Sequence, residues 1–416
     1  MSESAQKARP LEFEEARAIV IDRLKHAAVS RRAETIPLGD AHGRVLAEAA
    51  RADRDYPSLG RSLRDGFAVR SSDLPGTLKV RGEVRAGEVS QAPIASGEAL
   101  EVMTGAPIPE GADAVVMIEH VEQSSWSFYA PASGKQSTVK IDRAVEPGQF
   151  INKRGAEARQ GGVLIPEGTR LDASHIAALA TIGCLSVAVT RKLLVAILAT
   201  GDEIVPLDKT PEPHQIRNSN SYMLAALVRA AGGEASILPV AQDTPGALRP
   251  LLEQGLRHDL LIVSGGVSAG KYDLVKPTLR ELGVTFHFER VRVQPGQPTA
   301  FGTIDGEPVF GLPGNPGSSL ITFQLFARPA IEILTGITTP LLPLLSARFE
   351  KPFRHKPGLT RFLPALLNAD GQRLQHIPWQ GSSDVPALAR ANCFLVADHD
   401  RESWSEGDSI RVMLKA

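Results

Sequence analysis

Between residues 193 and 336, short apolar runs alternate with helical patterns, and most of the runs end on glycine. The runs are "KLLVAILATG", "EASILPVAQD", "DLLIVSGG" and "PVFGLPG"; the helical patterns include "NSYMLAALVRAAGG", "TPGALRPLLEQGLR", "KPTLRELG" and "SSLITFQLFARPAIEILTG". A strand that is apolar on both faces must be covered on both, and successive parallel strands need a helical crossover between them. The pattern therefore predicts a doubly wound, mainly parallel α/β domain over residues 186–338.

A chain of 416 residues exceeds one ordinary core and divides into several domains. Residues 50–149 read differently from the α/β region. Strand-like pieces such as "GFAVR", "TLKVRGEV", "ALEVMTG" and "DAVVMIEHVEQ" are separated by turn residues, which predicts a mostly β domain. A helix is predicted at "PLEFEEARAIVIDRLKHA". A second is predicted at "DASHIAALATIG", with Asp172 or Ser174 as N-cap and Gly183 as the stop. After the proline-rich joint "GITTPLLPLL", residues 339–416 read as a small C-terminal β domain.

A formal net charge of −1 argues against a nucleic-acid or membrane-surface binder, which would show a basic excess. Two cysteines, Cys184 and Cys393, do not make a disulfide framework, and a cytoplasmic setting is expected. The N-terminal stretch lacks the apolar core of a signal peptide, and no run reads as a membrane span.

Ligands of an open parallel sheet collect beyond the C-terminal strand ends. Here those ends carry Gly201-Asp202-Glu203, Gln242-Asp243, "GGVSAGKYD" with Asp273, and "LPGNPGSS". Glycine loops with free N–H groups ahead of a helix suit phosphate, and carboxylates opposite them suit Mg²⁺. Each part also has a plain structural reading: glycine turns occur throughout such folds, Asp202 can be an N-cap, and Asp243 and Asp65 can be turn residues. No GxxxxGK[ST] is present, which disfavours a P-loop hydrolase.

Five segments, "RDGFAV", "EVMTGAPIPEGADAVVM", "ATGDEIV", "IVSGGVSAGKYD" and "GLPGNPGSS", occur in the order found in the molybdopterin molybdenumtransferases, the family whose module also forms the C-terminal domain of gephyrin. The chain resembles that family over about residues 10–410. The resemblance implies an elongated linking domain (1–49 and 150–185) carrying the β domain as an insertion. It also implies a homodimer whose cleft lies between the α/β domain of one subunit and the β domain of the other. The implied reaction takes adenylylated molybdopterin and molybdate, with Mg²⁺, and releases AMP. Asp65, Thr104 and Glu203 match its catalytic positions. Asp243 and Asp273 match the metal-side and ligand-side carboxylates, both expected at the metal, and Gly265, Gly266 and Ser268 the substrate loop. Pro313, Gly314, Asn315 and Pro316 match the loop that shapes the cleft. Gln294 and Gln297 stand where the family often has lysines, with Lys271 a candidate to compensate, and Glu157 stands where an aspartate is common. The implied partners are a molybdopterin adenylyltransferase and acceptor molybdoenzymes. Two further readings remain open: the adenylyltransferase itself, and a non-catalytic protein that binds and delivers the cofactor.

Overall fold

The computed structural model describes residues 10–25, 33–123, 138–267, 274–337, 339–340 and 342–415. The chain forms two compact units: Met1–Glu48 with Glu167–Asp172 and Ser186–Ala416, and Ala49–Pro166 with Ala173–Leu185. No helix among the described residues is long and apolar enough to cross a membrane.

The larger unit begins with α1 (Phe13–Leu24), whose Phe13, Ala16, Val20 and Leu24 recur at helical spacing and are all buried. Its register is set by a ring contact, Phe13 meeting Phe362 edge-on at 5.4 Å, and by the Arg17 bonds described below.

The smaller unit is built on a six-stranded sheet: β1 (Gly66–Val69), β2 (Gly76–Val84), β3 (Glu98–Val102), β4 (Ala114–Met117), β5 (Glu122–Gln123) and β6 (Thr138–Ile141), in the order β4-β1-β3-β2-β6-β5. Side chains alternate between its faces. Phe67, Val69, Ala99 and Val116 pack on one, and Ala68, Leu100, Val102 and Val115 on the other. At Gly66 a Cβ would lie 2.0 Å from the Val116 carbonyl oxygen, so β1 can start beside β4 only with glycine there. The unit also holds α2 (Ala173–Thr181), which ends before Gly183 at φ +78°.

Within this sheet Glu101 is 2% exposed. It stands in register with Phe67 on β1 and Glu83 on β2. Burial, and then the charge of Glu83, push its carboxyl up from 4.5 to about 7, against a smaller opposing effect of Arg85.

The sheet of the larger unit runs β8-β7-β9-β13-β12-β10. Its strands are β7 (Leu194–Ala199), β8 (Glu234–Ile237), β9 (Leu260–Ser264), β10 (Thr285–Phe288), β12 (Ala300–Ile304) and β13 (Glu307–Leu312). The first four in that order pair in parallel, while β12 and β10 add antiparallel. Its helices are α3 (Ser219–Ala230), α4 (Pro245–Gly255), α5 (Val275–Glu281), α6 (Pro316–Thr322) and α7 (Arg328–Leu334). Ile197, Ile262 and Phe310 meet α3, α6 and α7 on one face. Leu198, Val263 and Val309 meet α4 and α5 on the other. The expected doubly wound, mainly parallel arrangement is present.

One expected helix, "SSLITFQLFARPAIEILTG", is interrupted. Between α6 and α7 residues Phe323–Ala327 form a π turn. Pro329 has no N–H to give to the Leu325 carbonyl four residues back. That carbonyl instead accepts Arg17 Nη1 at 3.0 Å, while Arg17 Nη2 donates to Pro340 O at 2.8 Å.

After the proline joint, β14 (Leu344–Phe349), β15 (Thr360–Leu367), β16 (Arg373–His376), β17 (Cys393–Ala397) and β18 (Ser409–Leu414) close into a small barrel through the β15–β17 pairing, with α8 (Val385–Arg390) before β17. A two-residue strand, β11 (Val293–Gln294), joins this barrel sheet by pairing in parallel with Thr360–Arg361.

The Glu101 carboxyl holds its proton more tightly folded than unfolded. Its effect on stability is therefore nil below about pH 4.5, becomes progressively unfavourable as pH rises toward 7, and stays constant above that. Glu101→Gln should match the native protein in urea unfolding at pH 4.5. At pH 8 it should be more stable by about 1–2 kcal/mol, once solvent screening is allowed for. Equal stability differences at both pH values would show that Glu101 ionises normally.

Candidate active site

At the end of β7, Thr200 is followed by Gly201, with φ +146°. A Cβ on Gly201 would stand 2.5 Å from Glu203 Oε2, so the Glu203 side chain is folded back over that glycine. Asp202 Oδ1 accepts the Asp243 N–H at 3.1 Å and thereby fastens the two strand-end loops to each other. Asp202 is thus a tie between loops and not an N-cap. That role at α3 belongs to Asn218, whose Oδ1 accepts the Ser221 N–H, and at α4 to Thr244.

The glycine loop after β9 is forced by close backbone approach. Gly265 (φ +97°) and Gly266 (φ +61°) occupy left-handed conformations. A Cβ on Gly265 would meet Thr200 O at 2.6 Å, and one on Gly266 would meet Val275 Cγ2 at 2.6 Å. Gly265 N–H donates to Leu312 O at 3.0 Å. The next loop comes equally near: a Cβ on Gly314 would stand 3.6 Å from Gly265 Cα. Asn220 fastens the pair, its Nδ2 donating to Gly314 O at 2.6 Å and to Ser264 Oγ at 3.0 Å. Asn315 occupies the N-cap position of α6 without capping it; its Nδ2 donates to Ser382 Oγ at 3.0 Å, and Gly317 N–H donates to Ser382 O at 2.7 Å. Pro316 is at the first helical turn, where its missing N–H costs nothing.

These loops enclose a cavity of about 530 Å³. Glu203, Asp243, Gly265, Gly266, Gly314, Asn315 and Pro316 line it together. Pro313 is not among the lining residues; its carbonyl accepts the Ser319 hydroxyl. Gln294 and Gln297 are not among the lining residues: Gln294 is exposed in β11, and the Gln297 carbonyl accepts the Val291 N–H at 3.0 Å. Ser268, Lys271 and Asp273 lie outside the described residues. Asp65 and Thr104 belong to the smaller unit, at the start of β1 and just past β3. There Asp65 Oδ1 accepts both the Thr104 N–H (2.6 Å) and its hydroxyl (2.9 Å). Glu157 belongs to the same unit; its N–H donates to Tyr56 O at 2.9 Å and its Oε1 accepts Asn152 Nδ2 at 2.7 Å.

Several lining residues had no signal as site residues in the sequence: Thr200, Arg217, Asn220 and Ser383. "RNSNS" (217–221) reads simply as a polar helix start. Thr200 Oγ1 and Asn220 Oδ1 are buried without a hydrogen-bond partner. Such unpaired groups are unusual in a native interior and mark the base of this cavity as specialised.

Among the described residues no three His, Cys, Asp or Glu side chains gather as a preformed metal cage. Mg²⁺ does not require one, since it commonly takes one or two carboxylates and completes its shell with water and substrate phosphate. Glu203 and Asp243, both lining the cavity, fit that requirement.

Gly265→Ala should cost roughly 2–4 kcal/mol, because the added methyl strikes the Thr200 carbonyl at a left-handed backbone position. Denaturant unfolding measures it, and a cost under about 0.5 kcal/mol would mean that the loop is free to move.

Known proteins share these features. The family model described as MoeA N-terminal region (domain I and II) matches residues 11–183. The probable molybdopterin binding domain matches 196–333, and the MoeA C-terminal region (domain IV) matches 346–415. The molybdopterin molybdenumtransferase of Bacillus subtilis is 34% identical over 98% of this chain and 95% of its own. That of Nostoc is 37% identical over 73% of this chain and 70% of its own. A solved molybdopterin biosynthesis MoeA protein from Pyrococcus horikoshii superposes with a TM-score of 0.74 at 31% identity, covering 98% of this chain and all of that one. With all three family segments matched in order and full-length relatives above 30% identity, the chain belongs to the molybdopterin molybdenumtransferase (MoeA) family of molybdenum-cofactor biosynthesis.

Proposed function

We propose that this protein inserts molybdenum into adenylylated molybdopterin, consuming molybdate and releasing AMP. The observation that carries the reading is that one cavity is lined both by two glycine loops and by Glu203 and Asp243. Backbone donors of a glycine loop suit phosphate oxygens. In the reaction water cleaves the phosphoanhydride link to give AMP and the pterin monophosphate, while the two dithiolene thiols displace one molybdate oxygen, which leaves with their protons as water, so molybdenum stays at the same oxidation state on the pterin. Mg²⁺, when bound, would neutralise charge on the phosphates, and Glu203 and Asp243 are the residues that would hold it. The Gly265–Gly266 and Gly314–Pro316 loops orient the phosphates. Asn220 keeps those loops at a constant spacing.

Asp65 and Thr104 enter the reading through the family resemblance, which assigns them to the same cleft from the other subunit of a homodimer. Their own geometry supports a presented carboxylate: two donors hold Asp65 Oδ1, and among the described residues Oδ2 takes no hydrogen bond. A molybdopterin adenylyltransferase upstream and molybdoenzymes downstream complete the proposed set of partners, in the cytoplasm.

Purified protein with Mg²⁺ should release AMP from adenylylated molybdopterin only when molybdate is added. Tight cofactor binding without any release would favour the delivery role, and consumption of ATP with unmodified molybdopterin would favour the adenylyltransferase. Asp65→Asn and Glu203→Gln should each reduce turnover at least a hundredfold. Mixed heterodimers of the two should recover up to about a quarter of the native rate, the fraction statistical mixing allows if one intact site per dimer forms. Failure of the mixture to recover would sink the shared cleft while leaving the transferase reading in place.

A further inference from the structure

We infer that Arg217 is the side chain that grips the anionic phosphate of the ligand; this assignment rests on the proposed transferase function. The cavity presents two carboxylates, Glu203 and Asp243, to a ligand that itself carries negative phosphates. Among the described residues lining the cavity, Arg217 is the one cation.

Its placement is determined by the backbone. Residues Ile204–Val205 and Ile216–Arg217 form a two-stranded parallel ladder, with Val205 opposite Arg217. The Ile216 N–H donates to Glu203 O at 2.9 Å, which fixes the cation-bearing strand against the carboxylate-bearing one. The guanidinium is then held at one end only. Nε donates to Leu207 O at 3.2 Å and to Lys209 O at 3.0 Å. Nη1 and Nη2 have no hydrogen-bond or ion-pair partner among the described residues. Arg217 therefore forms no ion pair with Glu203, although both come from the same ladder. An arginine anchored at Nε has already lost much of its rotamer freedom, and its two terminal nitrogens offer a planar fork suited to phosphate oxygens. A structural arginine would use that fork within the protein. Here it has no partner among the described residues, and the other charged side chains of the described lining are negative.

The consequence is selectivity for a phosphorylated ligand over its unphosphorylated counterpart, and AMP and adenosine are suitable probes. Calorimetry in the presence of Mg²⁺ should find AMP bound by Arg217→Gln roughly ten- to hundredfold more weakly than by the native protein, the range for a lost charge-assisted hydrogen-bond pair. Adenosine affinity should be unchanged. Arg217→Lys should fall between the two for AMP, because it keeps the charge and loses the fork. Raising salt should weaken AMP binding more steeply for the native protein than for Arg217→Gln. Native-like melting of both variants separates these effects from misfolding.

Unchanged AMP affinity in Arg217→Gln would overturn the assignment, as would a parallel loss for AMP and adenosine, which would mean that Arg217 only shapes the 207–209 loop. Molybdate-dependent turnover by the native protein, with an unaltered KM in Arg217→Gln, would remove Arg217 alone and leave the transferase reading standing. Native protein that binds neither AMP nor adenylylated molybdopterin would remove both.

Discussion

The architecture of the site follows from how closely three backbone segments approach at the carboxyl ends of β7, β9 and β13. Gly265 lies against the Thr200 carbonyl with no room for a methyl group, and Gly314 lies against Gly265. Parallel strands packed on both faces bring their ends to one rim, but packing alone does not decide how near the loops above it can come. Glycine decides that, and it brings main-chain donors and acceptors to the cavity where side chains would otherwise intervene. Glu203 owes its position to the same feature, because it folds over Gly201 into space that a Cβ would occupy.

Loops this close need side chains to keep them from sliding, and the structure supplies polar ties where the strands stop. Asp202 joins the β7 end to Asp243, Asn220 joins the β9 end to the Gly314 loop, and Asn315 joins that loop to Ser382. A similar economy operates far from the cavity. The carbonyl of Leu325, released by Pro329 and the π turn, is taken by Arg17 of α1, so a defect in one helix becomes the docking point of another. Removing one partner from such a buried pair leaves the other unsatisfied, which costs more than the bond itself contributed.

Much of this was legible in the residues. Doubly buried strands leave unbroken apolar runs, and the glycines that end them mark the loops. Hence Glu203, Asp243, Gly265, Gly266 and the Gly314–Pro316 loop group together from the sequence alone. What was not legible depends on partners distant in sequence. The ladder between Ile204–Val205 and Ile216–Arg217 has strands of two residues, too short to show a period, and the intervening "PLDKTPEPHQ" reads as plain loop. Arg217 and Asn220 were therefore concealed in a polar helix start. The β11 strand was likewise hidden, since two residues pairing with Thr360–Arg361 leave no local pattern. The π turn could not be foreseen, because Pro329 alone is also compatible with a kink or a helix end.

The charge distribution constrains how any phosphorylated ligand can be held. Two carboxylates and one guanidinium give the described lining a net negative charge, and such a cavity repels phosphate unless positive charge is gathered locally. The two glutamines, Gln294 and Gln297, do not supply it, being neutral and away from the lining. A divalent cation held by Glu203 or Asp243 would reverse the local sign there, and the fork of Arg217, which comes from the ladder beside Glu203, would add positive charge of its own. With such a cation bound, a neutral analogue would leave both it and the guanidinium without a partner, so the ligand would be selected by its charge.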